Sequence, residues 1–164
     1  MATTTLVADP DEPEQRPQDG GLTVSAEQYE RWGWLVLRAG SRLLLAANER
    51  VSAVELPAAI GAEVHHYLAV RLLAGPVVAL PGVPRHWLML TESADDAAPV
   101  SVVRLRARNA LVHRSGTLVP LPPSRLESGA VTWHVPPSID GPKLPPFSAV
   151  VGATRAVTEP AGLS

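Results

Sequence analysis

Arg85, His86 and Trp87 place a guanidinium, an imidazole and an indole in succession in this 164-residue sequence. A cation beside an imidazole suits an anion, and an indole can stack on a base. The plainer reading is a strand histidine that faces solvent or bonds a neighbouring carbonyl. Arg114 and Arg125 lie downstream and could meet phosphate in the same way. Other constellations fall away on spacing. His65 and His66 are adjacent, so on a helix their side chains diverge by about 100° and do not form the i, i+4 pair of a zinc protease. Cysteine is absent, which excludes disulfides, thiolate metal sites and a cysteine nucleophile. Ser124 follows Pro122-Pro123 rather than sitting in a Gly-x-Ser-x-Gly elbow, and is not read as a nucleophile. Pro81-Gly82-Val83-Pro84 is too short for a phosphate loop and lacks its lysine. Trp32, Trp34, Trp87 and Trp133 are read mainly as core, with at least two expected to be buried.

The formal charge of −2 hides an asymmetry. Residues 1–30 carry seven acids and one base, whereas residues 101–164 carry seven bases and three acids. Arginine supplies every base except Lys143, a bias that suggests a GC-rich bacterial genome. The acidic start lacks the apolar core of a signal peptide, and no apolar run reaches the roughly 20 residues of a membrane helix. The expectation is a cytoplasmic protein with no membrane partner.

Local signals set the elements that must carry these residues. Residues 1–21 are rich in Thr, Asp, Pro, Gln and Gly and are read as a disordered acidic tail. Residues 22–155 form the domain, and 156–164 are read as a frayed end. Ser25, with Gln28 three residues on, is in capping-box register for a first helix that Gly33 ends. Trp34–Arg38 and Arg42–Ala46 read as a hairpin, and Ala53–Leu56 as a strand stopped by Pro57. Ala58–Ala74 is the strongest helix, with Ile60, Val64, Tyr67, Leu68 and Leu72 recurring at helical spacing. Val77–Leu80 and His86–Thr91 form a second hairpin. In residues 100–109 the alternation of Val103, Leu105 and Ala107 with Arg104, Arg106 and Arg108 favours a strand, whereas Pro99 and Asn109 favour a helix, and the helix is the reading taken. Thr117–Leu121 and Ala130–Val135, each stopped by a proline pair, read as a third hairpin around a Glu-Ser-Gly turn. Phe147–Ala156 closes the chain as a helix. Hairpins require antiparallel pairing, so the fold class is α+β, a mainly antiparallel sheet with helices packed on one face.

In this order the chain resembles the N-terminal primase-polymerase domain of bifunctional DNA primase/polymerases, a branch of the archaeo-eukaryotic primase superfamily. AEQYERWGWLVL (26–37) is similar to that family's opening helix and strand. AVELP (53–57) stands where its metal-binding carboxylates lie. LPGVPRHWLML (80–90) resembles its Gly-rich turn and histidine-bearing strand. The stretch from Gly116 to Trp133, with Pro-Pro-Ser, Gly and Trp at the family's spacing, is the most specific match, and LPPF (144–147) follows it. The resemblance spans roughly residues 26 to 150. It implies a primase-palm or RNA-recognition-like sheet in which His86 faces nucleotide phosphates.

The departures bear on catalysis. Nucleotidyl transfer uses two or three carboxylates around divalent ions. Glu55 stands for the first, Pro57 occupies the second position, and Leu111, Val112 and His113 lie where a third would sit. Glu63 and Glu92 lack the spacing. The implied function is a catalytically degenerate primase-polymerase-like domain. Glu55 and His86 are its candidate catalytic remnants. It would hold no metal, and would use Mg²⁺ or Mn²⁺ only if active. Nucleotide or single-stranded DNA would be bound through Arg85, His86, Arg114 and Arg125. A protein-interaction module, homodimeric or bound to a partner, is the alternative from another class. An active primase/polymerase with rearranged carboxylates is the third.

Overall fold

The computed structural model describes residues 12–159. Its elements run α1 (Glu12–Arg31), β1 (Val36–Ala39), β2 (Arg42–Ala46), β3 (Ser52–Pro57), α2 (Ala58–Val70), β4 (Val77–Leu80), β5 (His86–Thr91), α3 (Pro99–Ala107), β6 (Leu111–His113), β7 (Leu118–Leu121), β8 (Arg125–Leu126), β9 (Gly129–Ala130), β10 (Thr132–Val135) and α4 (Phe147–Thr158). Pairing is antiparallel throughout the named strands, so the α+β class stands. None of the described helices is long and apolar enough to cross a membrane.

A five-stranded sheet in the order β10-β4-β5-β3-β6 forms the centre of the molecule. Side chains alternate between its faces. Val54, Leu56, Val77 and Met89 join Val64 and Leu68 of α2, Leu105 of α3, and Phe147, Val150 and Ala153 of α4 in one apolar core. Ala53, Val78, Leu88 and Leu90 point the other way, into a second core. There they meet Leu43, Leu45, Val119 and Leu121 of a three-stranded sheet, β1-β2-β7, and Leu22 and Tyr29 of α1. Three helices therefore cover one face, and α1 with the small sheet covers part of the other.

The third expected hairpin does not form. β7 pairs with β2 of the small sheet, and β10 pairs with β4 of the large one. Between them only the two-residue strands β8 and β9 face each other. The reason is Ser124. Its buried hydroxyl accepts from Leu43 N at 2.7 Å and lies within hydrogen-bond distance of Leu121 O and Leu43 O. Those contacts tie the proline corner to β2 and send the chain on to the other sheet. The proline pair thus ends one sheet rather than rimming a hairpin.

Several bounds also differ. The first helix starts at Glu12, well before Ser25, so it takes in residues 12–21 of the expected acidic tail; residues 1–11 of that tail lie outside those described. α2 stops at Val70, short of the expected Ala74. Leu72 adopts φ 59°, and Leu73 N bonds back to Leu68 O, which closes the helix end. Gly75 serves close packing instead, because a Cβ there would lie 2.4 Å from Pro145 Cδ. At the other terminus α4 continues through Thr158, past the point where fraying was expected. Residues 160–164 are outside the described range. α3 is a helix, with Pro99 in its first turn and Asn109 at φ 60° just beyond its end.

Candidate functional site

β3 lies between β5 and β6, so one side chain on it can reach both neighbours. The register sets Glu55 opposite Leu88 and Leu111, Pro57 opposite His86, and Ala53 opposite His113. All of these point to the same face. His86 and His113 therefore flank Glu55 diagonally, one from each side. Glu55 Oε2 is 3.1 Å from His86 Nδ1, and Oε1 is 3.2 Å from His113 Nε2. The carboxylate lies between two imidazoles with one oxygen committed to each. All three side chains are partly covered, at 24% exposure for Glu55, 33% for His86 and 15% for His113.

This geometry defines the proton positions. A carboxylate only accepts, so His86 donates from Nδ1 and His113 from Nε2. Nε2 of His86 and Nδ1 of His113 then accept when the rings are neutral and donate when they are protonated. The hydrogen bond from His113 is the largest influence holding the Glu55 carboxyl below the usual carboxylate range; partial burial opposes it, and the charges on His113 and His86 add to it. Local sequence explains the exposure. β3 carries apolar side chains to both packed faces, and Glu55 is its one ionisable residue. It sits beyond Ala53, where the buried patch of Ala53, Leu88 and Leu90 gives way to half-buried Glu55 and His86 and exposed Leu111.

The site is a line of three groups rather than a chelate. Among the described residues, no group of three or more His, Asp or Glu is placed to hold a metal ion. Across β3, β5 and β6, Glu55 is the single carboxylate. Glu63 is on the helix α2, whose buried side chains pack against the opposite face. Glu92 lies just after β5, and its main-chain N bonds Pro145 O.

The four cation candidates are distributed over several elements. Arg85 is exposed and precedes His86. It lines a cleft of about 520 Å³ together with Pro81, Gly82, Ser128, Gly129 and Thr132, between the β4–β5 turn and the β8–β9 hairpin. Arg114 directly follows His113. It contributes to lowering the carboxyl of Asp95, for which the hydroxyl of Ser115 is the largest cause. Arg125 is on β8, and its main-chain N bonds Ser41 O at 3.0 Å. His86 alone of the four joins the carboxylate cluster.

The tryptophans, read from sequence mainly as core, are held largely by packing. Tyr29, Trp32, Trp34 and Trp133 form one aromatic cluster with centroid separations of 5.3 to 6.3 Å. Trp34 is buried and the other three tryptophans are partly so, one fewer buried than expected. Burial pushes the Tyr29 hydroxyl up to about 12, and that hydroxyl donates to Pro122 O at 2.6 Å. Trp87 points to the helix side and stacks on His134 at 4.0 Å between centroids.

That contact belongs to a second histidine cluster. His134 sits at a bulge, where the β10 register skips between Trp133 and Val135. Its ring meets His65 of α2 edge-on at 6.4 Å. His65 Nδ1 is buried without a hydrogen-bond partner. Burial, followed by the nearby His134 and His66, holds its imidazole below the ordinary range. The sequence offers His65-His66 and TWHV as separate features, and only the bulge brings His134 to Trp87. His113 could be found only by aligning β6 with β3, which periodicity does not supply.

Compared with family models, curated proteins and solved structures, the chain has no match. The site must therefore be judged on its own geometry.

Proposed function

We propose that this chain is a primase-polymerase-like binding domain that contacts a phosphate-bearing ligand, a nucleotide or single-stranded nucleic acid, and does not transfer nucleotidyl groups. The observation that carries this reading is the convergence of Glu55, His86 and His113 from three adjacent strands on the sparsely covered face of the large sheet. The three strands are those on which the family resemblance puts its catalytic groups. A partly covered carboxylate, in a strand otherwise given to packing, is a local departure of the kind found at sites of function.

The reaction chemistry argues for binding over catalysis. A two-metal centre needs carboxylates on both ions. Here Pro57 replaces one, and both Glu55 oxygens are engaged by imidazoles. His86 keeps its Nε2 for a ligand, with Arg85 adjacent on the turn side and Arg114 following His113.

Fluorescence anisotropy with single-stranded DNA and with a nucleoside triphosphate tests the proposal. The expected result is binding that weakens as salt rises, with His86→Ala and Arg85→Ala each several-fold weaker. Binding indifferent to salt and to both substitutions would remove the reading. Primer extension with Mg²⁺ or Mn²⁺ is expected to give no product. A product lost in Glu55→Ala would establish a polymerase instead.

A further inference from the structure

The outward face of α2 is unlike that of a solvent-facing helix. Its sequence, AAIGAEVHHYLAV, contains one acid and no lysine or arginine. Gly61, Val64 and Leu68 are buried, and the opposite side exposes Ala59, Ala62, Ala69 and Val70 around only two polar residues, Glu63 and His66. The exposed side borders a groove of about 560 Å³ lined by Ala62, Glu63, His66, Tyr67, Val70 and Arg71, with Val157 of α4 on its other wall. Just beyond the helix end Leu72 is 93% exposed and Leu73 38%, which extends the apolar surface.

The charges at this groove show what fits it. Glu63, Tyr67 and Arg71 are spaced four residues apart, with the acid at one end, the ring in the middle and the cation at the other. The Arg71 guanidinium lies 3.5 Å over the Tyr67 ring and donates to Tyr67 O at 3.0 Å, so its position is held. Glu63 has no ion-pair partner among the described residues. Opposite charges at equal distances from a centre are self-complementary about a two-fold axis. An antiparallel copy of α2 crossing at Tyr67 sets residue 67−k against residue 67+k. Glu63 then meets the Arg71 of the second copy, and Arg71 meets its Glu63. The offset is about 6 Å to either side, at 1.5 Å per residue. A closed two-fold interface uses the same patch on both subunits, which is what this pattern provides.

We infer that the α2 face is a homodimer interface in which a second copy of this chain packs antiparallel across Tyr67, pairing Glu63 with Arg71 twice. The surface lies across the large sheet from the Glu55 site, so dimerisation leaves that site open.

Light scattering coupled to size exclusion, or sedimentation equilibrium, tests this on the full chain. The wild-type chain is expected at twice its 17.4 kDa mass. Glu63→Arg and Arg71→Glu each place two like-charge pairs in the interface and are expected to weaken the dimer about tenfold or more. The double exchange, Glu63→Arg with Arg71→Glu, restores both pairs with reversed polarity and is expected to recover the dimer. Circular dichroism on each variant separates dissociation from unfolding. A wild-type chain that is monomeric at about 100 μM, well above the dissociation constants of specific interfaces, would overturn the inference. So would single variants as dimeric as wild type, or a double exchange that fails to recover.

Discussion

Two histidine clusters lie on opposite faces of the same sheet and differ in one component. On the sparsely covered face, His86 and His113 share a carboxylate. On the helix-covered face, His65 and His134 have none, and Trp87 takes the place of an acid beside His134. His86 and Trp87 are consecutive residues, so a single step along β5 passes from one cluster to the other. An imidazole next to a carboxylate gains an ion pair when it protonates. An imidazole next to another imidazole meets repulsion, and a ring nitrogen such as His65 Nδ1 that lacks a partner favours staying neutral. The first arrangement suits a ligand surface that tolerates charge. The second is packing, and it resists charge.

The largest expected effect lies on the packed side. A Cβ at Gly61 would stand 2.9 Å from Trp87 Cε3, so Gly61→Ala must push the indole from its stack on His134. That overpacking is expected to cost about 1–3 kcal/mol, read as a lowered midpoint in denaturant unfolding, with ligand binding at the Glu55 site unchanged. Loss of binding together with stability would show that the two faces are not independent.

Next comes Glu55→Gln, expected to cost about 1 kcal/mol because the amide can satisfy only one of the two imidazole donors. The diagnostic readout is the pH profile. The Glu55 carboxyl is held below the ordinary carboxylate range, so its stabilisation is present above that range and fades as pH falls through the depressed folded value. Glu55→Gln should flatten this acid limb. His65 is held below 6.5, so the unfolded chain binds its proton first. Stability should therefore decline as pH drops below 6.5, until the folded value is reached. His65→Gln should remove that decline and leave the carboxylate limb in place. If both substitutions flatten the same limb, the contrast between the clusters fails.

The smallest effect should come from His134→Ala, about 0.5–1 kcal/mol for losing an exposed ring contact with Trp87, measured by thermal unfolding. The salt dependence of ligand binding should be indifferent to it.

Much of the local structure was legible without coordinates. Val77–Leu80 and His86–Thr91 match their strands to the residue, because period-two runs between proline turns leave few alternatives. The helix over residues 99–107 was carried by Pro99 and Asn109 against an alternation that pointed to a strand. Glu55 and His86 stood out as chemistry on a strand. The pairing of β7 and β10 did not, since a strand's partner depends on which sheet edge its side chains can cover. The Pro122–Ser124 corner reads as a turn in sequence, whereas Leu43, remote along the chain, makes it a junction between sheets. His113 and His134 were illegible as site members for a related reason: register and a bulge placed them.

Composition, punctuation and short-range periodicity determine the α+β class, the elements and the shortage of carboxylates on β3, β5 and β6, because these depend on residue type and near neighbours. Tertiary structure alone decided that Glu55 is held between two imidazoles from flanking strands, and that α2 keeps an apolar face with matched charges at its ends. Both depend on strand order and on which helix face the core leaves uncovered, and those follow from packing the whole chain at once.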